Sequence, residues 1–419
     1  MKLAVMLLLL LFPRDAGAQP KLKYTVIVTR HGVRSPTAAI DQLGQYSADP
    51  WPDFGVEPGG LTKHGHLLMQ QFGAYDREYF RAVKLFSPGK GCSDAAHVTV
   101  YADNSERTRE TAHALAEGML PGCDVKVLSA SEDTTDPIFN PLGAGLVKGD
   151  KTTALAAVAG RIGDQPKLLA ELYRGELEEL ARVSNGTPPG AGSPKRAWLD
   201  APITVTRGKG DTLVDITGSL RTASTLTENL LLEYTNGFSG KQFAWGRLDE
   251  EGLTRLMVLH TAYADLARRT PYVARARGSN LLAHILTSIR QATSGKAING
   301  ALGKPSDAVL FVVGHDTNIS NLSGMLGLSW LLPGYQPIDA VPGGALVFEL
   351  WQGEGAPFVR TYYSAQSLRQ MHDAAPLTLQ APPLKAPVFV PGCSALDCSW
   401  PDFQRVVESA VDRASVGIN

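Results

Sequence analysis

The sequence predicts an α/β protein in which a mostly parallel sheet is flanked by helices and a helical insertion domain roofs the cleft. Strand and helix patterns alternate as far as residue 135 and again after residue 260. Between them, residues 136–260 carry helical patterns. Polar motifs follow predicted strands, where open α/β sheets bind ligands. We therefore expect an α/β domain made of residues 19–135 and 261–419, with residues 136–260 inserted.

The N-terminus has the pattern of a secretory signal peptide. Lys2 gives a short positive region, residues 3–12 are apolar, and residues 16–18 form a small-residue cleavage site. The apolar run is too short to cross a bilayer. We expect cleavage after Ala18 and export to the periplasm or the medium, with no membrane partner.

Each remaining element follows from hydrophobic periodicity and its flanking signals. Asn104 or Ser105 can cap the second of the early helices. In the first α/β part we predict strands at 24–29, 97–101 and 124–128 and helices at 61–80 and 106–119. In the insertion we predict helices at 152–159, 168–183 and 220–234. The last part reads as a helix at 280–293, a strand at 308–313, a helix at 318–326 and a hairpin of 345–352 with 357–363.

Residues 30–37, RHGVRSPT, directly follow the first strand and carry the most chemistry. His31 lies between Arg30 and Arg34, whose charges disfavour protonation of an imidazole. The two guanidinium groups also suit a phosphate dianion. A neutral imidazole facing a phosphate held by arginines is a nucleophile for phosphorus. The motif thus predicts phosphoryl transfer through a phosphohistidine, with no need for a metal.

Two further polar segments follow predicted strands. Residues 106–109, ERTR, come shortly after the strand at 97–101, and residues 314–318, GHDTN, follow the strand at 308–313. Because the carboxyl ends of parallel strands share one edge, these segments and residues 30–37 should converge on one crevice. The helix that begins near residue 318 would add its positive N-terminal end.

These segments together resemble the histidine acid phosphatases, whose signature is Arg-His-Gly-x-Arg-x-Pro. The resemblance covers nearly the whole chain after residue 18 and looks strongest to bacterial periplasmic phytases, with glucose-1-phosphatases as near relatives. It implies an acid phosphomonoesterase that hydrolyses phytate without a cofactor or metal. The implied catalytic residues are the nucleophile His31 and the proton donor Asp316; the implied substrate-binding residues are Arg30, Arg34, Thr37, Arg107 and His315.

Within that family, Thr37 and the GHDTN form of the second motif favour phytate, since glucose-1-phosphatases tend to have serine where Thr317 stands. Ala38 is a departure, because close phytases often carry a lysine there. Three further residues stay open between substrate contact and support of the fold: Asp103, Glu228 and Arg277.

The four cysteines of an exported protein suggest disulfides. Four cysteines allow three pairings, and the short separation of Cys393 and Cys398 favours a local bridge, which leaves Cys92 with Cys123. A formal net charge of −1 argues against a nucleic-acid binder. We expect a monomer whose partner is a small phosphate ester.

Other functions stay open. A glucose-1-phosphatase or a broad-specificity acid phosphatase would use the same site. A phosphoglycerate-mutase-like transferase shares the Arg-His-Gly core, but the signal peptide, the cysteines and the His-Asp pair argue against it. A non-catalytic phosphate-ester binder would need neither His31 nor Asp316.

Overall fold

The computed structural model describes residues 19–89, 91–186 and 196–417, so the predicted signal peptide lies outside the described residues. The strands are Lys21–Arg30 (β1), Val98–Ala102 (β2), Val127–Ser129 (β3), Thr204–Arg207 (β4), Val214–Thr217 (β5), Val309–Gly314 (β6), Ala345–Gln352 (β7), Phe358–Ala365 (β8), Leu384–Pro387 (β9) and Asp397–Ser399 (β10). The helices are Ile40–Leu43 (α1), Lys63–Ala82 (α2), Glu106–Met119 (α3), Lys151–Arg161 (α4), Lys167–Leu172 (α5), Arg174–Asn185 (α6), Ser219–Thr235 (α7), Glu250–Leu256 (α8), Val258–Arg269 (α9), Pro271–Ser294 (α10), Asp316–Leu326 (α11), Leu368–His372 (α12) and Trp400–Ala410 (α13).

One mixed sheet organises the molecule and confirms the predicted fold class. Its strand order is β10-β8-β7-β1-β6-β2-β3, with β9 also paired to β8. The pairs β1–β6, β6–β2 and β2–β3 are parallel. The predicted hairpin of β7 and β8 adds an antiparallel half on the other side of β1. Because β6 lies between β1 and β2, strands distant in sequence meet at the centre of the sheet.

Side chains alternate between the two faces of the central strands, as the two-residue strand period requires. In β6, Val309 and Phe311 join one hydrophobic cluster with residues of α2 and α3, whereas Leu310 and Val312 join the other. That second cluster also contains residues of α10, α11 and α13. Both faces of the parallel half are therefore covered by helices, which explains why its strands are almost wholly apolar.

The inserted stretch departs in two details from the helices that periodicity predicts. A two-stranded antiparallel hairpin, β4 with β5, lies within it. The helix predicted at 168–183 is two helices, α5 and α6, separated at Tyr173. Helix α6 buries Leu177 and Leu180 whereas α5 buries no residue, and periodicity alone does not register that change of environment. The domain boundaries at 136 and 260 stay a prediction.

Both predicted disulfides are confirmed. Cys92 is bonded to Cys123 with their Cα atoms 5.4 Å apart, and Cys393 is bonded to Cys398 with a Cα separation of 5.3 Å. Among the described residues, no helix combines the length and apolar composition that a bilayer span requires.

Candidate active site

Strand register brings the predicted site segments together. Arg30, the last residue of β1, pairs with Gly314, the last residue of β6, and Ala102 of β2 pairs with Val313 one position earlier. The next residues along the three strands are therefore neighbours at one edge of the sheet. These are His31, His315 and Asp103.

Two glycines, Gly32 and Gly314, allow neighbouring segments to pack closely where the chain leaves these strands. A Cβ on Gly32 would lie 2.8 Å from Met69 Cγ and 3.2 Å from the Gly65 carbonyl oxygen, so α2 approaches His31 only because residue 32 has no side chain. At Gly314, a Cβ would lie 2.7 Å from Asn318 Oδ1. Both glycines of the two motifs are thus required by packing around the histidines.

His31 is buried and its two ring nitrogens are distinct. Nδ1 lies 2.8 Å from the carbonyl oxygen of Gly32. Since a carbonyl only accepts, Nδ1 carries the proton and Nε2 carries the lone pair. Burial, together with the charges of Arg30 and Arg34, holds the pKa of His31 well below its usual range. The imidazole is therefore neutral, and Nε2 is the nucleophilic nitrogen.

The arginines of the first motif share one carboxylate. Arg30 Nη2 donates to Glu228 Oε1 at 2.6 Å, and Arg34 Nη2 donates to the same oxygen at 3.2 Å. Arg30 Nη1 also donates to the Ala340 carbonyl at 2.7 Å, which fixes its position. Burial acts against the charge of Glu228, but Arg34 and Arg30 outweigh it and lower the pKa of Glu228 to about 2.

These guanidinium groups keep unused hydrogen-bonding capacity. The Nε atoms of Arg30, Arg34 and Arg107 are buried and have no hydrogen-bond partner among the described residues. A buried charged donor without a partner is costly, so a cluster of three points to an anion as the group that completes the site.

His315 faces His31 across the cleft, with ring centroids 5.5 Å apart and planes at 72°. Its Nε2 lies 2.7 Å from Asp103 Oδ2 and donates to that carboxylate. Burial opposes ionisation of Asp103, but the hydrogen bond and charge of His315 lower its pKa. Asp103, whose role the sequence left open, therefore orients the His315 ring.

Asp316 is buried at the start of α11 and is paired with Arg268 of α9. Its Oδ1 also accepts from the Thr317 backbone N–H at 2.8 Å. Burial alone would raise the pKa of Asp316, but Arg268 and Arg30 outweigh burial and hold it well below its usual range. The carboxyl group is therefore ionised in the free protein.

Arg107 and Thr37 lie at the rim. A Cβ on Gly59 would be 3.4 Å from Thr37 Cγ2 and 3.7 Å from Arg107 Nη1, so both side chains flank this glycine. The Thr37 side chain is exposed, whereas Arg107 is partly buried and its charge reaches His31. All seven residues named from the motifs thus surround one crevice.

Residues 21–165 and 221–364 match the model of the histidine phosphatase superfamily, branch 2. The chain belongs to this superfamily. It is 36% identical to phytase AppA of Escherichia coli, with 96% of each chain covered. It is 27% identical to a glucose-1-phosphatase of Providencia rettgeri, with 95% of this chain and 94% of that one covered.

Solved structures agree with this assignment. The Hafnia alvei phytase in complex with tartrate is 35% identical and superposes with a TM-score of 0.86 over 96% of this chain and all of that one. The same phytase in complex with myo-inositol hexakis sulphate gives 33% identity and a TM-score of 0.83, again over 96% of this chain and all of the other. The protein is a histidine-type acid phosphatase, a phosphomonoesterase similar to phytases.

Sequence reasoning missed two residues of the crevice and considered one that lies elsewhere. Arg268 pairs with Asp316, and His260 is buried beside Glu228 and Asp316. Both belong to α9, where a separation of eight residues puts them on one face of the helix. That shared face is the sequence feature that could have identified them as site residues. Arg277 instead donates to the carbonyl oxygen of Asp211 at 3.0 Å.

The crevice also contains a potential set of metal ligands. One donor atom each from Glu228, His260 and Asp316 lie within 4.8 Å of one another. Glu228 already binds two arginines and Asp316 binds Arg268. Because these guanidinium groups surround the carboxylates, the charge balance of the crevice favours an anion over a divalent cation.

Proposed function

We propose that this acid phosphatase hydrolyses phytate through a phosphohistidine formed on His31, with Asp316 as the proton donor. One observation supports the mechanism above the others: the proton on Nδ1 of His31 is directed at the Gly32 carbonyl, so the lone pair of Nε2 is free to attack. The low pKa of His31 keeps that lone pair available even in acid.

In the first step, Nε2 of His31 forms a bond to phosphorus and the ester P–O bond breaks. The departing oxygen keeps the electron pair of that bond and takes a proton from Asp316. In the second step, water attacks phosphorus and gives a proton back to Asp316, while the P–N bond breaks and returns its electron pair to Nε2. The products are an alcohol and inorganic phosphate.

The substrate-binding residues hold the transferring phosphoryl group throughout. Arg30, Arg34 and Arg107 supply donors to its non-bridging oxygens, and their buried Nε–H groups have no hydrogen-bond partner among the described residues. His315, whose Nε2–H is held by Asp103, adds a further donor through Nδ1 when its imidazole is protonated. Such positioned positive charge is the main requirement of phosphoryl transfer. We place Thr37 at the rim, where it contacts the part of the substrate that extends beyond these arginines and His315.

The proton that Asp316 donates enters with the substrate. Asp316 is ionised in the free protein because of Arg268, whereas a phosphate ester keeps its second proton below a pKa of roughly 6. A monoanionic ester bound to ionised Asp316 carries the same protons as a dianion bound to protonated Asp316. The reactive combination is therefore present in acid and is lost as pH rises through about 6, which gives an acid optimum.

Phytate is the substrate that the relatives favour. The phytase AppA of Escherichia coli is more similar to this chain than the Providencia rettgeri glucose-1-phosphatase, at 36% against 27% identity. The Hafnia alvei phytase binds myo-inositol hexakis sulphate, a sulphate ester of the same ring. Glucose-1-phosphatase activity is the second candidate, since that relative covers the chain equally well.

The test is phosphate release from phytate, glucose 1-phosphate and p-nitrophenyl phosphate, in the presence of a chelator, at about pH 5, where the carboxylates and the monoanionic esters coexist. We expect phytate to give the highest kcat/KM and His31→Ala to be inactive on all three. A higher kcat/KM on glucose 1-phosphate would change the proposed substrate from phytate to glucose 1-phosphate. Activity in His31→Ala, or its loss with the chelator, would overturn the mechanism.

We also propose that the chain is exported, with cleavage after Ala18, and acts as a monomer. The support is the signal-peptide pattern of residues 1–18 and the two disulfides, which persist in oxidising compartments. N-terminal sequencing of the protein recovered from the periplasm should begin at Gln19. Recovery of the uncleaved chain from the cytosol would contradict this proposal.

A further inference from the structure

A second concave surface lies beside the catalytic crevice. It begins at Ala38, one residue after Thr37, and has a volume of about 530 Å³. We call it the side groove. Its walls come from α1 and the residues that follow it, and from the first half of α7. The side chains that matter for its chemistry are Gln42, Gln45, Arg196, Arg221, Thr222 and Thr225.

Helix α7 connects the side groove to the arginines of the crevice. Arg221, Thr225 and Glu228 follow one another at intervals of four and three residues, which places them on one face of the helix. The seven-residue separation between Arg221 and Glu228 corresponds to about 10.5 Å along the helix. One end of this helix face thus contacts Arg30 and Arg34 through Glu228, and the other end lines the side groove through Arg221.

The charge of the side groove is positive. Two of its lining residues are arginines, and none of its described lining residues is Asp or Glu. The Arg196 guanidinium lies over the Tyr46 ring at 5.6 Å from the centroid and has no carboxylate partner among the described residues. Arg221 pairs with Asp215, but both side chains are substantially exposed, and such pairs are weak. A phosphate can therefore engage both arginines.

A cavity that shares Asp316, Arg268 and His260 with the crevice provides a contrast. It has a similar volume, about 480 Å³, and also contains two arginines, Arg268 and Arg269. However, it is lined by the carboxyl groups of Asp265, Asp316 and Asp339 as well. Its carboxyl groups offset its two arginines, whereas no described lining residue of the side groove is Asp or Glu.

We propose that the side groove is an anion subsite that binds a phosphate group remote from the one being cleaved, through Arg196 and Arg221. The hydroxyl groups of Thr222 and Thr225 and the amides of Gln42 and Gln45 supply neutral hydrogen bonds around them. The inference rests on the proposed phytate substrate, because only a polyphosphorylated ester fills both places at once. Small monophosphates use the crevice alone.

The experiment measures inhibition of p-nitrophenyl phosphate hydrolysis by two anions, myo-inositol hexakis sulphate and inorganic phosphate. The proteins are the wild type, Arg196→Ala, Arg221→Ala, the double variant and Arg405→Ala. Arg405 is a matched control, since it is exposed, pairs with a carboxylate as Arg221 does, and lies on α13. Phytate hydrolysis is measured in parallel.

We expect each groove variant to raise the inhibition constant of the hexakis sulphate about three- to tenfold, and the double variant to raise it further. The inhibition constant of phosphate and kcat/KM for p-nitrophenyl phosphate should stay within about twofold, as in Arg405→Ala. For phytate, KM should rise with the hexakis sulphate constant.

An unchanged hexakis sulphate constant in the double variant would overturn the subsite. So would a parallel rise in the phosphate constant, because the variants would then act on the crevice. If the wild type fails to hydrolyse phytate while the hexakis sulphate constant still depends on both arginines, the subsite stands and the phytate proposal falls.

Discussion

Helix α7 carries two glutamates with opposite properties, Glu228, whose side chain is 16% exposed, and the buried Glu233. Glu228 faces the crevice, where the charges of Arg34 and Arg30 lower its pKa to about 2 despite burial. Glu233, five residues later, is turned about 140° around the helix. Its Oε2 accepts from the Ala244 backbone N–H at 2.9 Å, and its Oε1 has no partner among the described residues. Burial therefore dominates and raises the pKa of Glu233 to about 8.

The difference shows what the crevice is built to do. Burial disfavours the charge of both carboxyl groups, and the guanidinium groups of Arg34 and Arg30 keep Glu228 ionised. The positive field that ionises Glu228 also keeps His31 neutral and Asp316 ionised. The same arrangement of charges thus supports substrate binding, keeps the nucleophile neutral and sets the charge of the proton donor. The pKa of Glu233, in contrast, is set mainly by burial.

Among the variants that test the comparison between the crevice and the surroundings of Glu233, Asp316→Asn is expected to have the largest effect. It keeps the size of the side chain but removes the proton donor, so kcat/KM on phytate or glucose 1-phosphate, which reports formation of the phosphohistidine and not its later hydrolysis, should fall by about 10²–10⁴. On p-nitrophenyl phosphate, whose leaving group needs little protonation, the fall should be much smaller. Equal losses on both kinds of ester, measured in parallel steady-state assays, would rule out a proton-donor role.

Arg34→Ala weakens the positive electrostatic field of the crevice. It removes a donor to the transferring phosphoryl group, and kcat/KM should fall by about 10²–10³. It also removes the largest cause that lowers the pKa of Glu228, so the pKa values of Glu228 and Glu233 should move closer together. The measurements are kcat/KM for p-nitrophenyl phosphate and carboxyl titration by NMR. Retention of full activity would show that Arg34 contacts neither substrate nor transition state.

Glu233→Gln tests the other side of the comparison through stability. A carboxyl whose pKa is near 4.3 unfolded and about 8 folded stabilises the fold fully in acid and loses that contribution as pH rises from about 4.3 to 8. The variant does not titrate, so relative to wild type it should gain a few kcal/mol between about pH 5 and pH 8.

Thermal denaturation at several pH values measures this gain, and kcat/KM for p-nitrophenyl phosphate in acid should not change. A melting-temperature difference between Glu233→Gln and wild type that is the same at every pH would contradict a raised pKa for Glu233.

Glu228→Gln should have the smallest effect. An uncharged amide competes less well than a carboxylate for Arg30 and Arg34, so inorganic phosphate should bind several-fold more tightly. The check is the inhibition constant of phosphate, with Glu233→Gln as a control on the same helix. Weaker phosphate binding in Glu228→Gln would mean that Glu228 positions the arginines for the substrate instead of competing with it.

The parts that sequence predicts well are those that strand register determines. His31, His315 and Asp103 each directly follow the end of a central strand, so recognising three strands was enough to bring them together. Close approach of α2 likewise explains Gly32 of the first motif, because the packing leaves no room for a Cβ.

The helical side of the crevice was harder to predict, because it depends on how helices pack. Arg268 and Arg277 belong to one basic stretch of sequence, but α9 ends at Arg269 and α10 begins at Pro271, so the two arginines point to different partners. The sequence left Glu228 open between substrate contact and support of the fold. No local pattern shows that it contacts both Arg30 and Arg34.

The central claim is that Nε2 of His31 becomes phosphorylated, and trapping the intermediate tests it most directly. Asp316→Asn should be mixed with radiolabelled p-nitrophenyl phosphate and quenched in alkali, which preserves phosphohistidine, and the labelled peptide identified by mass spectrometry. We predict up to one phosphoryl group per chain, on His31, and none in the protein that also carries His31→Ala. Release of phosphate during turnover with no label on His31, or with label on another residue, would contradict the mechanism.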